Sequence, residues 1–164
     1  MIKIGIDLDN TIINYNKLIF ELSKKKYNLK FKEKNISKDK IKKKIIKNFG
    51  ENEWTFFQSL IYGEHLKSAE IYDNFKDIIR KFKNKYEFYI VSHKTKWPVI
   101  GKKINLINFA KNFLSINKVS FCNNPLINPK NIFFENTQNK KVKRIKSLKI
   151  DLFIDDLEIV LKKN

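Results

Sequence analysis

The sequence has few of the residues that cross-link a chain, break its helices or carry it across a membrane. Its 164 residues include 1 cysteine, 3 prolines and 4 glycines. A single thiol, Cys122, cannot form an internal disulfide, which excludes a disulfide scaffold and agrees with a reducing compartment. Apolar runs stay well short of the ~20 residues that span a bilayer, and the N-terminus lacks the pattern of a signal peptide. We therefore expect a cytoplasmic protein with no membrane partner.

Arginine is also scarce, and this changes the meaning of the net charge. Lys and Arg total 35 residues against 17 Asp and Glu, which gives a net charge of +18, yet only Arg80 and Arg144 are arginine. Arginine is the side chain that binds bases and phosphates bidentately, whereas a lysine-rich surface is most often a solvated one. A nucleic-acid partner is therefore the less favoured interpretation, although a positive field would draw a phosphorylated substrate to the protein.

The hydrophobic content is sufficient for one folded domain of ordinary size. Hydrophobic residues make up 42% of the chain and aromatic residues 13%, enough for a substantial core. The apolar pattern predicts strands at 2–7, 87–91, 119–122, 132–134 and 151–155. It predicts helices at 15–27, 37–49, 74–82, 104–114 and 140–148, with an apolar aromatic segment at 53–62. Strands that alternate with helices predict an α/β fold with a parallel sheet, which binds its ligands at the carboxyl ends of the strands.

Polar side chains follow three of these strands. Asp7-Leu8-Asp9-Asn10-Thr11 follows the first strand, Ser92 follows the second, and Asp155-Asp156 closes the last. Carboxylates gathered at one edge of a sheet repel each other, and they require a cation or protons to be tolerated. The sequence therefore predicts that metal and phosphate bind at this edge.

The order and spacing of these residues resemble a known pattern. Ile4 to Thr11, Ile90-Val91-Ser92, a helical lysine near Lys141, and Phe153 to Asp156 resemble the four motifs of the haloacid dehalogenase-like (HAD) superfamily of phosphohydrolases. The resemblance implies a Rossmann-like parallel sheet flanked by helices, with a small helical cap inserted. It also implies a Mg²⁺-dependent phosphatase that hydrolyses a small phosphomonoester, such as a sugar, polyol or nucleotide phosphate, through an aspartyl-phosphate.

The resemblance further implies a role for each motif residue. Asp7 would attack phosphorus, and Asp9 would protonate the leaving oxygen and later deprotonate the water. Phosphate would be bound by the side chains of Ser92 and Lys141 and by the backbone of Thr11, whose hydrogen bonds would also hold the loop. Magnesium would be held by Asp7, Asp9 (through its main-chain carbonyl), Asp155 and Asp156. Lys140 and Lys143 stay open as alternatives for the motif lysine.

The interval between Thr11 and Ser92 is longer than a single helix needs. We expect residues 14–68 to form the small helical cap, and residues 1–13 and 69–164 to form the HAD-like core domain. A cap excludes water from the site and selects the leaving group. The expected substrate contacts are His93, which follows Ser92, and the cap residues Trp54 and Tyr62.

Two alternatives to a small-molecule phosphatase stay open. A phosphomutase also uses both aspartates of the first motif. A nucleic-acid-associated protein, either a polynucleotide phosphatase or a basic binding protein on the same fold, would account for the net charge. Nothing in the sequence indicates an oligomeric state.

Overall fold

Strands and helices alternate along the chain, largely where the apolar pattern predicts them. The structure, a computed structural model, describes residues 1–31 and 36–157. The strands are β1 (Ile2–Ile6), β2 (Ile13–Asn14), β3 (Glu70–Ile71), β4 (Tyr86–His93), β5 (Ile132–Glu135) and β6 (Leu152–Ile154). The helices are α1 (Asn16–Tyr27), α2 (Lys38–Phe49), α3 (Glu51–Tyr62), α4 (Phe75–Phe82), α5 (Leu106–Ile116) and α6 (Gln138–Ser147).

The main sheet has four parallel strands in the order β5–β4–β1–β6. β1 lies inside the sheet, with Ile6 opposite Ile90 of β4 on one side and Ile154 of β6 on the other. Because all four strands run in the same direction, their carboxyl ends meet at one edge. The α/β fold with a parallel sheet is therefore confirmed, and the sheet brings the ends of β1, β4 and β6 together.

Three helices fill most of the predicted cap segment and pack on one another. The buried residues Ile41 and Ile45 of α2 share a core with Phe57 of α3. The Tyr27 ring of α1 lies 5.4 Å from that of Phe57, and its hydroxyl donates to Glu53 Oε1 at 2.7 Å. The predicted boundary of this segment as a separate domain stays a prediction.

A short antiparallel ribbon, β2–β3, joins the two ends of this helical segment. Ile13 pairs with Ile71, and Asn14 pairs with Glu70. This ribbon was not predicted, because strands of two residues are too short to show an alternating pattern. Within the described residues, no helix is both long enough and apolar enough to cross a membrane.

The strand predicted at 119–122 is wrong. Lys118 and Phe121 have positive φ angles of 56° and 54°, a conformation that interrupts an extended strand. The Val119 amide donates to the Leu114 carbonyl at 2.8 Å, and the Ser120 hydroxyl donates to the Ile127 carbonyl at 2.8 Å. The apolar residues of this stretch are thus buried in a loop that bonds to itself and to the end of α5.

Candidate active site at the carboxyl edge of the sheet

Asp7 lies at the carboxyl end of β1, held by the strand beside it. Its amide donates to the Ile154 carbonyl at 2.9 Å, which extends the β1–β6 pairing by one residue. The chain then turns tightly, since the amides of Ile12 and Ile13 both donate to the Leu8 carbonyl. Asn10, in this turn, has a φ of 61°, which asparagine tolerates better than most residues. The turn leaves Asp7 5% exposed at the floor of a cavity.

Lys141 joins the first and last acidic motifs. Its Nζ lies 2.5 Å from Asp7 Oδ1 and 2.6 Å from Asp155 Oδ2, and its side chain is 1% exposed. The α6 helix begins at a Thr137 N-cap and turns Lys141 and Ile145, one turn apart, towards the sheet. Of the three candidate lysines, the structure therefore brings Lys141 to the aspartates. The other two, Lys140 and Lys143, are exposed.

A glycine in β1 makes room for the ring beneath this lysine. The Lys141 Nζ lies 5.3 Å from the centre of the Phe153 ring. A Cβ on Gly5 would fall 2.5 Å from that ring, closer than carbon atoms approach without displacement. The absence of a side chain at Gly5 therefore allows the Phe153 ring to pack beside β1 and support the ammonium group from below.

Three carboxylates at this edge have the spacing of a cation site. Oxygen atoms of Asp7, Asp155 and Asp156 lie within 4.8 Å of one another. The pKa of Asp7 is raised to about 7. Burial is the main cause, the Lys141 ammonium opposes it, and the negative charge of Asp9 contributes to the rise. An all-oxygen donor set of this kind suits Mg²⁺.

The charge balance also fits a divalent cation. Four aspartates meet two buried ammonium groups at this edge, those of Lys141 and Lys94. Among the described residues, these groups leave two negative charges when all are ionised, and the Lys38 ammonium at the cavity wall offsets one of them, so the net charge at this edge still favours a cation. The residues present therefore fit the predicted metal, and the contribution of the Asp9 carbonyl stays a prediction.

Two residues predicted to bind phosphate have hydroxyls that are buried without a partner among the described residues. Ser92 Oγ in β4 and Thr11 Oγ1 after β1 have no hydrogen-bond partner in that part of the chain, and neither does Gln138 Oε1 at the start of α6. An unsatisfied buried hydroxyl costs free energy, so each such group in a folded protein requires a reason. A phosphoryl group bound at this edge would supply a partner for a hydroxyl there.

Asp9 has two partners that the sequence analysis missed. The Tyr15 hydroxyl donates to Asp9 Oδ1 at 2.5 Å, and Lys94 Nζ lies 2.8 Å from Asp9 Oδ2. Burial and the Asp9 charge hold the pKa of the Tyr15 hydroxyl well above its usual value, so it stays a donor. Lys94 follows Ser92 and His93 at the end of β4. This position close to Ser92 was the one feature of the sequence that distinguished Lys94 from the many other lysines.

A cavity of about 370 Å³ opens above these residues. His93 and Tyr62 line it, as predicted for substrate contacts, and so do Lys38, Gln58 and Gln138. Trp54 is a correction to the predicted contacts. It is 5% exposed and packs in the core, 5.8 Å from the Phe57 ring, because it lies on the inner face of α3.

Comparison with known proteins supports the fold only. No protein-family model matches the sequence, and no curated protein matches it significantly. A haloacid dehalogenase-like family hydrolase from Streptococcus pneumoniae is similar in structure, with a TM-score of 0.53 and 11% identity over 99% of this chain and 79% of its own. A HAD-superfamily hydrolase of subfamily IA, variant 1, from Geobacter sulfurreducens has a TM-score of 0.52 and 9% identity, covering 99% and 81%. The chain therefore has the fold of HAD-superfamily hydrolases.

Proposed function

We propose that this protein is a Mg²⁺-dependent phosphatase that hydrolyses a small phosphomonoester through an aspartyl-phosphate on Asp7. One observation carries the proposal. The buried ammonium of Lys141 bridges Asp7 and Asp155, and oxygen atoms of these two carboxylates and of Asp156 lie close enough together to bind one cation. An anionic nucleophile can approach an anionic phosphoryl group only where cations offset both charges. Two similar structures are those of hydrolases, which agrees with this chemistry.

The contacts of Asp7 and Asp9 suit two different steps of the reaction. Since Lys141 bonds to Oδ1 of Asp7, Oδ2 is the oxygen available to attack phosphorus. The reaction requires a proton on Asp9 at the start, and this proton goes to the departing oxygen as the bond from phosphorus to the ester oxygen breaks. In the second step, Asp9 takes a proton from water while that water attacks phosphorus and releases Asp7. No net charge or proton is left over on the enzyme.

The remaining residues bind and neutralise the phosphoryl group. The Ser92 hydroxyl, which has no partner in the described part of the chain, would donate to a phosphoryl oxygen, and the Lys141 ammonium would offset charge as the new bond forms. Mg²⁺, held by Asp7, Asp155 and Asp156, would supply further positive charge at the phosphoryl oxygens. His93 and Tyr62, in the cavity wall, would contact the alcohol that leaves.

A substrate screen tests this function directly. The protein, freed of metal with EDTA, would be assayed for phosphate release from sugar, polyol and nucleotide monophosphates with and without added Mg²⁺. We expect hydrolysis of at least one class that depends on Mg²⁺. Release of phosphate at the same rate in EDTA would contradict the role of the metal, and no release from any ester would contradict the phosphatase.

Asp9→Asn is expected to separate substrates by the quality of their leaving group. Phenyl phosphate needs a proton on its departing oxygen, whereas p-nitrophenyl phosphate, of similar shape, releases a stable anion. Loss of a general acid therefore lowers kcat/KM, which reports the steps up to departure of the alcohol, by ~10²–10⁴-fold on phenyl phosphate and much less on p-nitrophenyl phosphate. Steady-state kinetics on both esters measures this. Asp77→Asn, an exposed aspartate paired with Arg80 on α4, is the matched control, and equal losses on both esters would contradict the acid role.

A further inference from the structure

Lys94 is the second lysine buried at the edge of the sheet. Its side chain is 4% exposed, although lysine is almost always solvated. Its amide donates to the Glu135 carbonyl at 2.8 Å, which extends the β4–β5 pairing beyond the end of β4. The backbone of Lys94 is therefore fixed by the sheet, and the side chain crosses from there to the loop that follows β1.

The ammonium of Lys94 contacts two elements at once. Its Nζ lies 2.8 Å from Asp9 Oδ2 and 3.2 Å from Oδ1. The same Nζ lies 4.9 Å from the centre of the Tyr62 ring, at the end of α3. The rings of Tyr62 and Tyr15 pack edge to face, with their centres 5.3 Å apart. Since Tyr15 and Lys94 are the two donors to Asp9, the Tyr62 ring packs against both of them.

These contacts determine the orientation of the Asp9 carboxylate. Each of its oxygen atoms has a strong donor, Tyr15 on Oδ1 and Lys94 on Oδ2. A carboxylate held on both oxygens cannot rotate without breaking a charge-assisted bond. Burial of an ammonium group costs several kcal/mol of free energy unless the group is well paired. Lys94 lies in the wall of the cavity, and its ion pair with Asp9 offsets this cost.

We propose that Lys94 is a positioning residue, which with Tyr15 orients the Asp9 carboxylate towards the leaving-group oxygen and, through the Tyr62 ring, links that orientation to α3. The inference rests on the proposed function, in which Asp9 gives its proton to that oxygen. Lys94 acts on the substrate only through Asp9. A helix from the predicted cap segment is thereby connected to proton transfer.

Kinetics of Lys94→Met on two aryl phosphates test the positioning. Methionine keeps the length of the side chain and removes its charge. We expect kcat/KM on phenyl phosphate, which reports the steps up to departure of the alcohol, to fall by ~10–100-fold, the usual effect of losing a residue that orients a reactive group. On p-nitrophenyl phosphate, whose p-nitrophenolate departs without a proton, kcat/KM should change less than ~3-fold. A merely structural role would lower both rates together.

Two further variants make the test independent of folding. Lys96→Met, an exposed lysine over the Trp97 ring in the same segment, should match the wild type on both esters. If Lys94→Met does not fold, Tyr15→Phe removes the other donor to Asp9 and should show the same selective loss on phenyl phosphate. Equal losses on both esters, or the same selectivity in Lys96→Met, would overturn the proposal.

Failure of the proposed function would look different. In that case the wild-type protein itself hydrolyses neither ester with Mg²⁺. Crystal structures of wild type and Lys94→Met then decide the positioning alone. A rotated Asp9 carboxylate in the variant supports it, and an unchanged one overturns it.

Discussion

Asp7→Asn is expected to lower phosphatase activity by at least ~10⁴-fold, as loss of a catalytic nucleophile does in other hydrolases. Asparagine has the shape of aspartate, but its amide neither attacks phosphorus nor carries the negative charge that binds Mg²⁺. Phosphate release on the best ester of the screen measures the loss. Asp77→Asn, an exposed aspartate of α4, should keep full activity. Activity above ~1% of wild type in Asp7→Asn would contradict its role as nucleophile.

The same variant should fold at least as well as the wild type in metal-free buffer. The pKa of Asp7 is about 7 in the folded protein, against 3.8 for the free side chain, because burial disfavours its charged form. A raised folded-state pKa means that Asp7 costs stability as the pH rises through 7, and that this cost is absent below pH 4. Denaturation in EDTA at pH 8 and at pH 4 should therefore show the advantage of Asp7→Asn at pH 8 alone.

A trapped intermediate would connect this loss to chemistry. Wild-type protein that is mixed with substrate and Mg²⁺ and then quenched in acid should carry a phosphoryl group on Asp7, detected by mass spectrometry as added mass on its peptide. Asp9→Asn should accumulate more of this species on p-nitrophenyl phosphate, since Asp9 activates the water that removes it. A phosphoryl group on another residue would contradict the assignment.

The sequence was a good guide where local pattern and topology act together. The apolar run before Asp7 could only be a buried strand, and parallel strands place their carboxyl ends at one edge. Ser92, near the end of β4, and Asp155, directly after β6, lie at the same edge as Asp7 because the strands are parallel. The sequence left Lys140, Lys141 and Lys143 open, and the structure places Lys141 on the inner face of α6 with Ile145.

Contacts between distant segments could not be predicted from local sequence patterns. Lys94 is buried only because the end of β4 meets the β1 loop and Tyr62 of α3, and no local pattern encodes that meeting. Trp54 lies on an amphipathic helix, where an aromatic residue can face either a core or a cavity. The strand predicted at 119–122 does not form because Lys118 and Phe121 have positive φ angles, and neither residue type predicts that conformation.

Lys141→Met is expected to destabilise the metal-free protein by about 3–5 kcal/mol, because it leaves Asp7 and Asp155 close together and buried with no cation between them. For a chain of this size, this is a fall of roughly 10 °C in Tm. Added Mg²⁺ should restore more stability to this variant than to the wild type, since it supplies the missing positive charge. Lys143→Met, an exposed position on the same helix, should change stability by less than ~0.5 kcal/mol.

A double variant distinguishes loss of charge balance from loss of packing. Lys141→Met combined with Asp7→Asn removes one charge of each sign, while Asp155 keeps its bond from the Leu157 amide. If the imbalance of charge causes the destabilisation, the double variant should be more stable than Lys141→Met alone, and the coupling free energy should exceed ~1 kcal/mol. Additive effects of the two substitutions would instead show that the Lys141 side chain stabilises the fold by packing on Phe153. Phosphate release should be lost in both variants, because Lys141→Met cannot neutralise the phosphoryl group as the bond to Asp7 forms, and the double variant also lacks the nucleophile.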